Sequence, residues 1–224
     1  MKRYRAESIA MDRSVRLLPA WESSQYRLGQ TSSVTAHLAI VLPGRGYGAL
    51  GPALRLPRLA VEEAGAETVV VEYPGDTPLA QVPEWWDDLH SSVASQVASF
   101  LSEAAPERVT FLAKSLGSVA LAALPGHVAL PASVDAIWLT PIFGREPIRS
   151  GAIAHAWRSL LVAGGADEFY EPEHHEAVAE ALGASSLVLP GANHLLEVPG
   201  DVRATLEGFR SLTEAVMAFV GSVR

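Results

Sequence analysis

"FLAKSLGSVALAAL", residues 111–124, decides how the chain folds. An apolar run of strand length stops at Ala113-Lys114-Ser115-Leu116-Gly117 and becomes an apolar stretch of helical length with no polar linker. A strand that passes directly into a helix needs a very tight turn. Small residues two before and two after its central serine avoid clashes there, and Ala113 and Gly117 are both small. Ser115 is then expected to stand above the sheet at the start of a helix. The Leu116 N–H would face any oxyanion formed beside it, assisted by the helix dipole. A plainer reading is that Ser115 only caps the helix. A Walker phosphate loop is rejected, because the glycine it requires before Lys114 is missing and Val109 stands in that stretch.

The same strand-to-helix alternation continues on both sides. Unbroken apolar runs at 37–42, 68–73, 108–113, 135–140, 159–163 and 185–189 have strand length, as expected where both faces of a parallel sheet are covered. Helical patterns are expected at 52–65, from near Pro83-Glu84 to Pro106, and at 115–124, 173–182 and 200–221. The fold class is therefore α/β: a three-layer α/β/α sandwich with a mostly parallel, doubly wound sheet and right-handed crossovers. Only 18 residues separate Thr140 from Ser159, with room for one short helix at 152–157 and no large cap domain. Residues 14–18 and 24–29 could add leading strands at one edge. No repeat or linker interrupts residues 1–224, which read as a single domain.

An alcohol nucleophile needs a base, and the base needs an orienting carboxylate. On such a sheet both should come from loops at the carboxyl ends of later strands. After "SLLVA" comes "GGADEFY", with Asp167 three residues past Gly164 and Glu168 as its rival. After "SSLVLP" comes "GANHLLEVPGD", with His194 in the loop. Alone, either residue would read as a loop cap or a surface histidine. Together, Ser115, Asp167 and His194 occupy the expected strand ends in an order distinct from the chymotrypsin and subtilisin types. His174 and His175 are adjacent and do not share a helical face, and His37, His90, His127 and His155 lack partners at ligand spacing, so no metal site is expected. Lys114 could in principle activate Ser115, but neighbouring side chains on a strand diverge, which favours a structural role.

The turn after the first strand, "LPGRGYGALGP" at 42–52, allows two readings. Gly46-Tyr47-Gly48-Ala49-Leu50-Gly51 is a literal G-x-G-x-x-G, and Glu72 lies 26 residues after Gly46, where a ribose-binding acid would stand. That would make the chain an NAD(P)-dependent oxidoreductase. Against it, Pro43, Gly44 and Arg45 separate the fingerprint from the strand, and Pro57 should disrupt the following helix. The favoured reading is that the Arg45 N–H, or that of Gly46, faces the Leu116 N–H across an oxyanion hole. Gly44, Gly46 and Tyr47 would then line the pocket beside it, with Arg45 available to an anionic substrate.

The bulk numbers restrict the partners. Of 224 residues, 49% are hydrophobic and 19% charged, enough apolar material for a sizeable core. A net charge of −8 disfavours nucleic acid and anionic membranes, which select basic surfaces. The absence of cysteine removes thiolate chemistry and disulfides. The stretch "MKRYRAESIAMDRSVRLLPAW" has no apolar core of a secretory signal, no run of about 20 apolar residues exists, and no amphipathic lid segment is visible. A cytoplasmic protein is expected. A helix face bearing Trp85 and Trp86 could lie in the core or in a homodimer.

On "VLPGRGY", "FLAKSLGS", "VAGGADEFY" and "LPGANHLLEVPGD", the chain resembles the α/β-hydrolase superfamily over residues 37–221. It is most similar to the small, capless members of the dienelactone-hydrolase and carboxylesterase kind. The resemblance implies Ser115 as nucleophile, His194 as general base and Asp167 as its orienter. It also implies a small ester, lactone or thioester substrate and no cofactor. An acyltransferase, or a non-catalytic member of the same fold, is compatible with the same residues. Two positions depart from the family pattern. Ala113 replaces the usual glycine of the serine turn, and Pro-Gly at 43–44 replaces a common His-Gly, which leaves the second oxyanion donor open.

Overall fold

A computed structural model of the chain describes residues 35–73 and 86–222. The chain divides into two units, Met1–Ser33 and Val34–Arg224, and every described residue belongs to the second. The expected leading strands at 14–18 and 24–29, Pro83 and Trp85 lie outside the described residues. Among the described residues six strands form one sheet: β1 (His37–Leu42), β2 (Glu67–Val70), β3 (Arg108–Lys114), β4 (Ser133–Leu139), β5 (Arg158–Gly164) and β6 (Ser185–Leu189). The spatial order is β2-β1-β3-β4-β5-β6, and every pairing is parallel.

Successive side chains of a strand point to opposite faces. In β1, Leu38, Ile40 and Leu42 enter one apolar cluster, while Ala39 and Val41 enter the other. The first cluster is completed by α2 (Trp86–Ala104), α3 (Leu116–Ala123), α4 (Glu146–His155) and α5 (Pro172–Leu182). The second is completed by α1 (Pro52–Glu63) and α6 (Val202–Gly221), which pack against each other. A strand with two apolar neighbours gains from burial on both faces, which explains the unbroken apolar runs. Trp86 belongs to the first core cluster. No helix among the described residues is long and apolar enough to cross a membrane.

Two elements, and the expected effect of one proline within the helix expected at 52–65, differ from the sequence expectation. α1 runs through Pro57 without a break, so that proline does not disrupt the helix. Pro57 is buried on the face of α1 that carries Leu54 and Val61 into the core, and this packing offsets the lost N–H bond. α4 begins at Glu146 rather than near 152, with Pro147 in its first turn. Gly151 lies inside that helix, where a Cβ would come within 2.5 Å of the Ala122 carbonyl oxygen of α3. β2 ends at Val70, short of 73, although the Val71 N–H still donates to Val41 O of β1 at 2.9 Å. Beyond it, the Gln96 amide of α2 pairs with the Glu72 main chain, accepting from Glu72 N–H at 2.9 Å and donating to Glu72 O at 2.8 Å.

From β1 the chain winds outward to β2, then crosses back to start β3 on the other side of β1. The direction of winding reverses between β1 and β3. At such a switch point the connecting segments leave toward opposite faces and open a crevice at the carboxyl ends of the two strands. The turn after β1 and the serine turn after β3 flank this crevice.

Candidate active site

Ser115 sits between β3 and α3 with φ 51° and ψ −108°, a conformation that L-residues rarely adopt. Such strain persists only where the surroundings fix it. Its N–H donates to Leu139 O at 3.0 Å, and its carbonyl accepts from Ser118 N–H at 2.8 Å and from the Ser118 hydroxyl at 2.6 Å. The turn also needs Gly117, where a Cβ would lie 2.2 Å from Leu42 O of β1. As the first residue of α3, Leu116 has no intrahelical acceptor for its N–H.

Three strand ends meet at the serine. His194 Nε2 lies 2.8 Å from Ser115 Oγ, and His194 Nδ1 lies 2.8 Å from Asp167 Oδ2. A carboxylate only accepts hydrogen bonds, so the imidazole proton resides on Nδ1 and Nε2 accepts from the serine hydroxyl. Asp167 Oδ1 accepts from Phe169 N–H at 2.9 Å. The Asp167 side chain is 1% exposed and that of His194 24%, so the orienting group is dry while the imidazole has access to solvent. The Phe169 ring meets the imidazole edge-on, with centroids 4.9 Å apart. Glu168, the rival carboxylate, is exposed.

The loop carrying His194 is held by its own amides. Asn193 Oδ1 accepts from Leu195 N–H at 2.9 Å and Glu197 N–H at 3.1 Å. It reaches the acid loop because β5 ends in Gly164, where a Cβ would lie 2.3 Å from Ala192 O and 2.5 Å from Asn193 O.

No family model and no curated protein matches the sequence. Solved structures match its shape. An α/β serine hydrolase homologue from Coxiella burnetii superposes with a TM-score of 0.61 at 16% identity, over 82% of this chain and 84% of that one. An α/β serine hydrolase without a lid from Xanthomonas campestris gives 0.56 at 20% identity, over 85% and 83%. Est1E from Butyrivibrio proteoclasticus gives 0.61 at 12% identity, over 85% and 90%. The chain has the α/β-hydrolase fold. Among the described residues no cap interrupts this α/β-hydrolase fold between β4 and β5, where α4 is the sole element.

In this α/β-hydrolase fold the glycine turn after β1 lies against the serine. Tyr47 N–H donates to Gly44 O at 3.1 Å, with Gly46 in the left-handed region at φ 68°. A Cβ on Gly44 would stand 3.4 Å from Ser115 Cβ, while Arg45 and Gly46 are exposed. The literal G-x-G-x-x-G does not leave a free helix N-terminus for phosphates. Gly51 N–H donates to Gly48 O, Leu54 and Arg55 N–H both donate to Gly51 O, and Pro52 has none. The remaining Ala53 N–H donates to the Tyr47 hydroxyl at 2.9 Å. The Tyr47 ring covers Gly51, within 2.5 Å of where a Cβ would be. Tyr47 is thus committed to capping α1, and burial pushes its phenol pKa up.

Ser118, which the sequence did not single out, and Lys114 and His175, which it did, surround these groups. Ser118 accepts from Ile142 N–H at 3.2 Å and so ties the serine turn to the loop after β4. Lys114 is fully buried, and its signal was visible as a charge inside an apolar strand. Its ammonium reaches Thr140 and His194 rather than solvent. His175 is buried and bonded to Ser186 Oγ at 2.9 Å, and burial pushes its pKa down. No cluster of three His, Asp or Glu side chains among the described residues could hold a metal ion.

Proposed function

We propose that the protein is a serine hydrolase that cleaves a small carboxylic ester, lactone or thioester through an acyl-enzyme. The observation that carries this reading is the continuous hydrogen-bond relay from Ser115 Oγ through His194 to the buried Asp167, on a serine held at positive φ. His194 takes the Ser115 proton as Oγ attacks the carbonyl carbon. The oxyanion is received by the N–H of Leu116, at the start of α3, and that of Arg45, on the turn packed against Ser115. His194 then gives the proton to the departing alcohol or thiol. Water repeats the sequence on the acyl-enzyme and frees the acid. Asp167 keeps Nδ1–H in place and balances the imidazolium charge. The resemblance to the lidless Xanthomonas structure favours a small soluble substrate over a lipid surface, and the acidic chain favours neither nucleic acid nor anionic membrane. No residue in this scheme needs a cofactor, and the cytoplasm is the compartment we assign.

The test requires no knowledge of the substrate. The wild-type chain and Ser115→Ala are treated with a fluorophosphonate, and intact mass is measured. One adduct on wild type and none on the folded Ser115→Ala variant is the expected result, to be followed by an ester, lactone and thioester panel. An unlabelled, folded wild type would refute the reading.

A further inference from the structure

Three loops converge on one buried ammonium. Lys114 closes β3, one residue before Ser115. Its Nζ donates to Thr140 Oγ1, just past β4, at 2.8 Å and to the main-chain carbonyl of His194, in the loop after β6, at 2.7 Å. It also stands 4.8 Å from the ring centroid of Tyr47, on the turn after β1. Burial pushes the amine down to about 8, and the attraction of Asp167 opposes that shift.

A buried charge is a costly way to fill space, since an apolar side chain of similar volume is usually as stabilising or more so. Lys114 therefore supplies something that volume does not. Its shortest contact, a charge-assisted bond to a peptide oxygen, is made to His194 itself, 80 residues away in sequence. The residue that grips the base is covalently joined to the serine the base must reach.

We infer that Lys114 is a positioning residue: its ammonium pins the main chain of His194 at a set distance from Ser115, so that the imidazole stays in line with the serine hydroxyl. This inference rests on the roles given to Ser115 and His194 under the proposed function. Thr140 and the Tyr47 ring keep the ammonium aimed, and through Tyr47 the turn carrying Arg45 is tied to the same point. A displacement of about 1 Å in such a pair can cost about 100-fold in rate.

The experiment compares wild type, Lys114→Met and Thr140→Val. The second-order rate of fluorophosphonate labelling is measured per folded molecule, with the low-field proton resonance of the His194–Asp167 hydrogen bond as a second readout. Methionine fills the volume and provides no donor. Lys114→Met is expected to label at least about tenfold more slowly, with that resonance shifted or broadened. A folded Lys114→Met that labels at the wild-type rate with an unchanged resonance would overturn the inference and leave the hydrolase reading intact. If Lys114→Met does not fold, Thr140→Val decides: it removes one of the two bonds that aim the ammonium at nearly constant volume. Labelling slowed about threefold, with the resonance moved, supports the clamp, and no change in either overturns it. Failure of wild type itself to label rejects the hydrolase reading and this inference with it.

Discussion

Gly164→Ala tests how the base is brought to the serine. At Gly164 a Cβ would lie 2.3 Å from Ala192 O, 2.5 Å from Asn193 O and 2.8 Å from the Ala192 carbonyl carbon. Ordinary contact begins at 3.4 Å, so the main chain of residues 192–193 must retreat by about 1 Å. All three clashing atoms are backbone, and no rotamer change relieves them. His194 follows directly, and its Nε2 is 2.8 Å from Ser115 Oγ. Moving it by about 1 Å breaks that hydrogen bond and should slow acylation about 100-fold. The overpacking itself should cost about 2 kcal/mol, or about 6 °C in Tm for a chain of this size. Gly165→Ala is the internal control. Its Cβ would meet its nearest atoms at 3.4–3.6 Å, and the residue has no positive φ, so little change in either quantity is expected. Fluorophosphonate labelling rates and thermal melts of both variants settle the matter. A Gly164→Ala protein that melts lower but labels at the wild-type rate would refute the link between this contact and the base.

Asp167→Asn should reduce turnover of an activated ester about 10⁴-fold, because an amide at this position supports the wrong imidazole tautomer. Glu168→Gln, at an exposed position, should stay within about twofold of wild type, and the reverse order in steady-state assays would transfer the orienting role to Glu168. At the opposite end of the sheet, burial pushes the His37 pKa down to about 4, while its Nε2 remains 2.8 Å from Thr110 Oγ1. With a lowered folded-state pKa, the unfolded chain binds more protons between pH 6.5 and 4, so stability is full above that window and is lost as pH falls through it. His37→Gln keeps a hydrogen-bonding group without a titration. Urea unfolding at pH 7 and 4.5 should show the variant losing about 2 kcal/mol less than wild type, and equal losses would contradict the assignment.

Much of the architecture was legible locally. A parallel strand covered on both faces must be apolar at successive positions, so β1, β3, β4 and β5 stood out as unbroken runs. The serine turn was readable because its steric demands fall on Ala113 and Gly117, within two residues of Ser115. Loop positions for Asp167 and His194 followed from the strand ends. The extent of α4, and the tolerance of α1 for its inner proline, were not readable in the same way. Pro57 and Gly151 weaken a helix considered alone, and only packing against the core and against Ala122 compensates for them.

The sequence by itself thus determined the α/β layering, the strand ends and the order Ser115, Asp167, His194, because propensity, capping and turn sterics act over a few neighbouring residues. Only the tertiary structure decided which carboxylate His194 bonds, that Tyr47 and not a phosphate occupies the start of α1, and that Lys114 grips the main chain of His194. Each of these depends on distances between strand ends or turn backbones, set to tenths of an ångström by sheet register and by the missing Cβ atoms of Gly117 and Gly164. A linear pattern carries residue types and spacings. It does not carry the register that brings residues 80 positions apart within 2.7 Å of each other.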